Sequence, residues 1–290
     1  MSHPSDPPAA PLVEVRGLVR SFGSARAVDG LDLEVRRGEC LGLLGPNGAG
    51  KTTTLRVLST LLKPSAGHVR VLGCDPAREG AAVRARLGVV PQEIALYPRL
   101  SAVENLRFFG RMAGVPAARL DERVAWGLEV AGLEQRGADR VREFSGGMRR
   151  RLNLVVALLH EPELCFLDEP TVGIDPQSRN HVFETVERLR AEGLTMIYTT
   201  HQLGEVERLC DRIVVMDEGR AIASGSLDEL RSAQEARVDA SGIELPAGAD
   251  LERAVQLLRE GGIEARLGRP QVGLEEIFLA LTGKELRDDE

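Results

Sequence analysis

The sequence predicts an α/β protein whose core is a parallel sheet with crossover helices, preceded by an antiparallel β layer and interrupted by a helical subdomain. Three observations lead to this prediction. Short apolar runs recur between helical or turn-like segments, apolar and polar residues alternate in the N-terminal part, and a mostly helical stretch lies in the middle of the chain. Continuous apolar runs are typical of strands buried on both faces, as in parallel sheets.

The first elements are predicted to form the β layer. LVEVRG (12–17) and LDLEV (31–35) alternate apolar and polar residues, which favours half-exposed antiparallel strands on either side of a turn near residues 22–23. After a helix over TTLRVLSTLL (53–62), the runs HVRVLG and LGVVPQ, which end at residues 73 and 92, indicate two more strands.

The middle of the chain is predicted to be an inserted helical subdomain at about 92–160, because the stretch from about 102 to 159 is helical apart from Gly and Pro interruptions. Three apolar runs follow and indicate strands of the parallel sheet. They are ELCFLDEP (163–170), LTMIYTTH (194–201) and DRIVVM (211–216).

We predict three regions along the chain: a disordered, Pro-rich lead over 1–11, a main domain over 12–233, and a small α+β appendage over 234–290. In the appendage, apolar residues at i, i+3, i+4 and i+7 predict one stripe on a helix. Two roles of this stripe are equally compatible with the sequence: it packs against its own domain, or it forms a contact in a dimer. The stripe consists of Leu274, Ile277, Phe278 and Leu281.

Composition narrows the function classes. With 43% hydrophobic residues in a chain of 290, a sizeable core can be buried. The 37 Lys and Arg residues are outnumbered by 44 Asp and Glu residues, which argues against a nucleic-acid partner. The four cysteines lie far apart, without zinc spacing, and are interpreted as buried residues of a reducing compartment.

No secretory signal or transmembrane helix is predicted. The N-terminal segment lacks the basic start and apolar core of a signal peptide, so we expect the protein to stay inside the cell. The longest apolar runs, such as LVVALL (154–159), are far shorter than the roughly 20 residues that cross a bilayer.

The most informative segment is GPNGAGKTT, at residues 45–53. It has the spacing of a phosphate-binding loop between a buried strand and a helix, where backbone N–H groups and the helix dipole favour an anion. Lys51 is expected to reach the β- and γ-phosphates, and the Thr52 hydroxyl to ligate Mg²⁺. The predicted nucleotide contacts here are Gly45, Pro46, Asn47, Gly48, Ala49, Gly50, Lys51, Thr52 and Thr53.

Two further motifs complete the predicted chemistry. The strand in ELCFLDEP ends in Asp168, which can hold Mg²⁺, and Glu169, which can polarise an attacking water beyond the γ-phosphate. In REFSGGMRRRLNLVVALL (142–159), Ser145, Gly146 and Gly147 precede an amphipathic helix and form a second end able to receive an anion.

The order of these motifs resembles that of the ABC-transporter ATPases over about residues 12–230. The SGG segment, directly upstream of LDEP, resembles the family signature, with Phe144 and Met148 in place of the commoner Leu and Gln. The resemblance implies ATP and Mg²⁺ as cofactors. It also implies a head-to-tail dimer, in which each ATP lies between the phosphate loop of one subunit and the SGG helix of the other.

The resemblance assigns roles to several other residues. Phe22 lies where the family has an aromatic residue, usually Tyr, that stacks on adenine, and Gln92 matches the loop glutamine that contacts Mg²⁺ or water and couples to the membrane partner. His201 matches the histidine that senses the γ-phosphate. The segment that crosses the dimer interface is matched by Gly173, Ile174 and Asp175.

The motif sequences are most similar to those of the daunorubicin-resistance type of multidrug exporter ATPase. These motifs are GPNGAGKTT, FSGGMRRRL, DEPTVGIDPQSR and, near the C-terminus, FLALTG. This similarity implies a peripheral subunit on the cytoplasmic membrane face, working with a separately encoded permease and a second ATPase copy or a paired ATPase subunit. The alternatives are a solute importer ATPase, which shares the catalytic motifs, and a soluble ABC ATPase that acts on ribosomes or DNA.

Overall fold

The computed structural model describes residues 10–231 and Leu279. Its strands and helices alternate in the way that the sequence predicts for a parallel sheet with crossover helices. In chain order they are β1 (Val13–Phe22), β2 (Ala25–Val35), β3 (Cys40–Leu44), α1 (Lys51–Leu58), β4 (Ala66–Val71), α2 (Gly80–Arg84), β5 (Leu87–Val90), α3 (Ala102–Met112), α4 (Leu120–Ala131), α5 (Gly146–Val156), β6 (Leu164–Asp168), α6 (Pro176–Ala191), β7 (Thr195–Thr200), α7 (Leu203–Leu209), β8 (Arg212–Asp217) and β9 (Arg220–Gly225).

Two sheets make up the main body. The smaller sheet is antiparallel, with the order β2-β1-β4, and it is the predicted β layer. The larger sheet has the order β5-β6-β7-β3-β8-β9; its first five strands are parallel, and β9 runs antiparallel to β8. The two predicted kinds of sheet are therefore confirmed.

The strand order of the larger sheet positions the site. Strand β7 lies between β6 and β3, with Leu44 beside Thr200 and Asp168 beside Thr199. The carboxyl ends of these three parallel strands therefore meet at one edge of the sheet. The segments that continue from them begin at Gly45, Glu169 and His201.

The helical subdomain comprises α3, α4 and α5. Helix α3 begins with a capping box, in which the Ser101 hydroxyl accepts from the Glu104 amide and the Glu104 carboxylate accepts from the Ser101 amide. The three helices pack around fully buried leucines, including Leu106, Leu133 and Leu152. This packing gives the subdomain a core of its own.

Two details differ from the sequence prediction. Helix α1 begins at Lys51 and ends at Leu58, earlier than predicted, because the chain turns into a left-handed conformation at Thr60 (φ 72°). The sequence did not predict β9, an edge strand with mostly exposed side chains and so a weak apolar pattern. The boundaries at 12 and 233 stay predictions, and the lead over 1–9 and the appendage, apart from Leu279, lie outside the described residues.

Within residues 10–231, none of the helices combines the length and the hydropathy that crossing a membrane requires.

Candidate active site

The loop between β3 and α1 is shaped by two glycines that have no room for a side chain. A Cβ added at Gly45 would lie 2.3 Å from the Met216 carbonyl oxygen, and one at Gly50 would lie 2.5 Å from that of Ala27. Gly50 also adopts a left-handed conformation, with φ 99°, directly before α1. The loop thus leads into a helix N-terminus whose first amides lack partners within the helix.

Lys51 is buried, with 4% of its surface exposed, at the start of α1. Its Nζ donates to the carbonyl oxygens of Gly45 (2.7 Å) and Pro46 (3.1 Å) and lies 3.3 Å from Oε1 of Glu169. Burial lowers the pKa of Lys51, and the neighbouring Glu169 carboxylate opposes this shift without cancelling it. The ammonium group is thus held at the mouth of the glycine loop.

Asp168 ends β6 and faces α1. Its Oδ1 accepts hydrogen bonds from the hydroxyls of Thr199 (2.8 Å) and Thr52 (3.1 Å). Burial raises the pKa of this carboxyl group, despite the two hydrogen bonds and the nearby Lys51. A carboxylate next to a hydroxyl is a hard oxygen pair of the kind that Mg²⁺ prefers when phosphates and waters complete its shell, so the residues present fit this ion.

Glu169 is the centre of the site. Oε1 lies 3.5 Å from Nδ1 of His201 and Oε2 accepts from Nε2 of Gln92 at 3.2 Å, in addition to the Lys51 contact. Burial is the largest influence on its pKa and raises it, but His201 and Lys51 together outweigh burial, so the pKa lies below the ordinary value. The carboxylate is therefore ionised at neutral pH.

The backbone of Glu169 is strained. Its φ of 45° lies in the left-handed region, which costs a residue with a side chain about 1–3 kcal/mol and persists only where the surroundings hold it. The Glu169 amide donates to the carbonyl oxygen of Thr199 (3.2 Å) and to its hydroxyl (3.0 Å). Strand β7 thus holds the turn that carries this carboxylate.

The SGG segment lies at the start of α5, as the sequence predicts. The Ser145 hydroxyl caps the helix by accepting from the Met148 amide at 3.2 Å. Gly147 packs against the first turn of α6, where an added Cβ would lie 1.8 Å from the Ser178 hydroxyl, whereas Gly146 is exposed. Only a glycine fits at position 147, and the helix start beside it is exposed.

The segment from Gly173 to Asp175 lies beside the SGG helix. Asp175 caps α6 through its hydrogen bond from the Ser178 amide (2.9 Å), and the Gly173 carbonyl oxygen is 3.9 Å from the position of a Cβ on Gly146. These two predicted motifs therefore form one surface.

Phe22 lies at the end of β1, with 48% of its surface exposed. The Arg20 guanidinium carbon lies 4.5 Å from the centre of the ring, a cation–π distance. Phe22 is thus outside the buried core, and Arg20 contacts its ring.

Sequence reasoning missed two residues that support the site. Thr199 bonds to both carboxylate-bearing positions, but a threonine in an apolar run is an ordinary strand residue and gives no signal of its own. Arg150 is buried and donates to the carbonyl oxygens of Gln92 (2.7 Å) and Val172 (3.2 Å). In a run of three arginines, only helical periodicity separates the buried one from its neighbours.

Comparisons with known proteins agree with this site. The family model described as ABC transporter matches residues 28–172. Daunorubicin resistance ATP-binding protein DrrA3 of Streptomyces coeruleorubidus is 42% identical over 308 aligned positions, covering 95% of this chain and 97% of the relative. Nod factor export ATP-binding protein I of Ralstonia nicotianae is 41% identical over 311 positions, covering 97% and 96%.

The fold has a counterpart among solved structures. A protein described as the ATP binding subunit of an ABC transporter superposes with a TM-score of 0.71 at 31% identity, covering 86% of this chain and 99% of the other. The predicted fold and the resemblance to daunorubicin-resistance ATPases are confirmed. This chain belongs to the ABC transporter family and is an ATP-binding subunit with ATP hydrolysis as its activity.

Proposed function

We propose that this protein is the ATP-hydrolysing subunit of an exporter and drives a separately encoded integral-membrane permease by ATP-dependent dimerisation. The observation that carries the proposal is the convergence of Lys51, Gln92 and His201 on the buried, ionised Glu169 carboxylate. An ionised carboxylate beside the phosphate loop is suited to accept a proton from water.

In the proposed reaction, Glu169 is the general base and His201 positions the γ-phosphate. Lys51 neutralises charge on the phosphates. For this, its ammonium group replaces its contacts with the Gly45 and Pro46 carbonyl oxygens and the Glu169 carboxylate by contacts with phosphate oxygens. Phe22 stacks on the adenine ring. Apart from Pro46, which has no backbone N–H, the remaining loop residues bind phosphate through their backbone amides.

We propose Thr52, Gln92 and Asp168 as the residues that hold Mg²⁺. The ion, when bound with ATP, supplies charge neutralisation at the phosphates. Within residues 10–231, no group of three or more His, Cys, Asp or Glu could bind a metal unaided. A site completed by phosphate oxygens therefore suits this chain better than an all-protein site.

Dimerisation follows from the exposed SGG helix. We propose that Ser145, Gly146 and Gly147 of one subunit contact the ATP held by the other, while the segment 173–175 crosses the interface. The exposure of Ser145 and Gly146 supports this, because it leaves the helix N-terminus accessible to an anion from outside the chain. ATP binds both subunits of the closed dimer and so favours closure.

The export direction rests on the relatives. One is named for Nod factor export and another for daunorubicin resistance. We propose for this chain the same direction of transport, and we propose no transported compound. Through the permease, the protein would lie peripherally on the cytoplasmic membrane face.

For the permease we propose one contact surface, the groove on α3 next to the segment that follows Gln92. Its volume is about 570 Å³, and its lining includes the exposed Phe108 and Met112 together with Leu100, Glu104, Arg107 and Arg111. The Glu104 carboxylate accepts from the Ser101 amide and is outnumbered by the two arginines, so the groove suits a cytoplasmic helix of the permease that carries apolar and acidic residues.

Two measurements test the proposal. The Glu169→Gln variant should bind ATP and hydrolyse it about 100- to 10,000-fold more slowly, so that Mg-ATP traps a dimer detectable by light scattering. Hydrolysis at the parental rate would remove Glu169 from the catalytic role.

The second measurement is co-purification from membranes that contain the permease of the neighbouring gene. The parent protein should be recovered with the permease, and Met112→Asp should weaken the recovery without changing ATP hydrolysis. A neighbouring periplasmic binding protein would favour import instead. Recovery with ribosomes or DNA would favour the soluble alternative.

A further inference from the structure

Glu205, in the first turn of α7, is a buried carboxylate with only neutral hydrogen-bond donors around it. It is 2% exposed, and three hydroxyl groups donate to it. Thr171 donates to Oε1 (2.6 Å), and Thr200 (2.7 Å) and Tyr198 (3.1 Å) donate to Oε2. All three of these donors are neutral hydroxyl groups.

A buried carboxylate without a cationic partner opposes folding unless several hydrogen bonds compensate it. An apolar residue on this face of α7 would pack without that cost, as the buried Val206 does at the next position. Packing alone therefore does not account for a carboxylate at this position. Its three donors lie on two different segments, the one that follows Glu169 and the end of β7.

The donors flank the proposed catalytic residues. Thr171 is the second residue after Glu169, and Thr200 directly precedes His201. The Thr200 hydroxyl also accepts from the Gln202 amide at 3.0 Å, so it is attached to the chain on both sides of the histidine. One carboxylate thus connects the turn that carries the base with the turn that carries the histidine.

The strained backbone of Glu169 needs such an anchor. Its left-handed φ of 45° is held on the amide side by Thr199. On the carboxyl side, the Glu169 carbonyl oxygen accepts from the Val172 amide (3.3 Å), and the Thr171 hydroxyl binds Glu205 (2.6 Å). Without the Thr171 bond, the turn loses its side-chain anchor to α7 and can shift relative to the turn of His201.

We propose that Glu205 is a positioning residue for ATP hydrolysis, which sets the turn of Glu169 against the turn of His201. This inference rests on the proposed catalytic roles of those two residues. Glu205 does not touch the reacting atoms; it acts through Thr171 and Thr200.

The test compares steady-state ATP hydrolysis in four variants. Glu205→Ala removes the shared acceptor, and Thr171→Val removes one donor with almost no change of shape. Each should lower kcat by about 10- to 100-fold, the scale for small displacements of catalytic groups, and should change KM less than about threefold. Glu207→Ala is the matched control on the exposed face of α7, and it should retain the parental kcat.

Glu205→Gln should recover kcat to within about threefold of the parent. Its amide oxygen can accept from Thr200 and Tyr198, and its amide nitrogen can donate to the Thr171 hydroxyl. A Gln variant as slow as the Ala variant would overturn the proposal, and so would a parental kcat in Thr171→Val or a loss that appears only in KM. If Glu205→Ala does not fold, the kcat values of Thr171→Val and Glu205→Gln decide whether the proposal holds.

Glu169→Gln is assayed beside these variants to separate the two proposals. A parental rate in Glu169→Gln refutes the proposed catalytic assignment. A slow Glu169→Gln with parental rates in Glu205→Ala and Thr171→Val refutes only the positioning role.

Discussion

Replacing Asp168 by Asn should make the nucleotide-free protein more stable while abolishing Mg²⁺-dependent ATP hydrolysis. Both hydrogen bonds to Asp168, from Thr52 and Thr199, end on Oδ1, which Asn retains. The substitution removes the burial of a charge and the repulsion from Glu169, the two influences that raise the pKa of Asp168. It also removes the smaller attraction to Lys51, so the net gain should be about 1 kcal/mol.

A gain of this size corresponds to a rise in Tm of about 2–4 °C for a domain of this size. The gain should depend on pH in a defined direction. Because the folded pKa of Asp168 is raised, the folded protein binds this proton more tightly than the unfolded chain, and stability falls as pH rises through that range. The advantage of Asp168→Asn should therefore be full at pH 7 and disappear as pH falls through the folded pKa toward about 4.

The assay is thermal unfolding in EDTA without nucleotide, at neutral and acidic pH, with Asp121→Asn as the control. Asp121 is exposed and ion-paired with Arg107, so its substitution should change stability by less than about 0.5 kcal/mol. A lower Tm of Asp168→Asn at pH 7, or a gain that stays constant down to pH 4, would refute the reasoning.

Two other substitutions test single residues. Phe22→Ala should weaken ATP and GTP binding together by about tenfold, since a ring face does not read base edges, and Phe22→Tyr should be neutral; unchanged affinity for both nucleotides in Phe22→Ala would remove Phe22 from the proposed adenine contact. Arg150→Met should destabilise the protein by about 1–3 kcal/mol in urea, because the partly buried carbonyl oxygens of Gln92 and Val172 lose their donor. The exposed Arg149→Met should have little effect, and equal effects of the two would contradict the linking role of Arg150.

Sequence reasoning was most effective where the residue type itself is required by the chemistry or the geometry. Gly45, Gly50 and Gly147 are such cases, because an added Cβ would overlap neighbouring atoms. It proposed Lys51 from the phosphate-loop pattern and Glu169 from its place after a buried strand that ends in Asp168. In the structure these two charged groups lie 3.3 Å apart.

The residues that sequence reasoning missed share the opposite property. Thr199 and Glu205 act through hydrogen bonds between segments that are far apart in sequence, and their residue types are common in strands and helices. Nothing in a local pattern distinguishes Glu205 from the exposed Glu207 except its place on the buried face of α7. Their importance depends on β7 lying between β3 and β6, which is a property of strand order and not of any one segment.

The same strand order explains why the charged groups can be buried at all. The ends of β3, β6 and β7 bring Lys51, Asp168, Glu169 and His201 together, so each charge that leaves water gains an opposing charge or hydroxyl donors. The balance is incomplete at Asp168, whose pKa stays raised, and the turn at Glu169 is strained. An excess of carboxylate beside a glycine loop is unfavourable without a ligand, and it becomes favourable when a divalent cation and phosphates enter together. The burial of the Asp168 carboxylate and its repulsion from Glu169 therefore favour binding of ATP with its metal over binding of either alone.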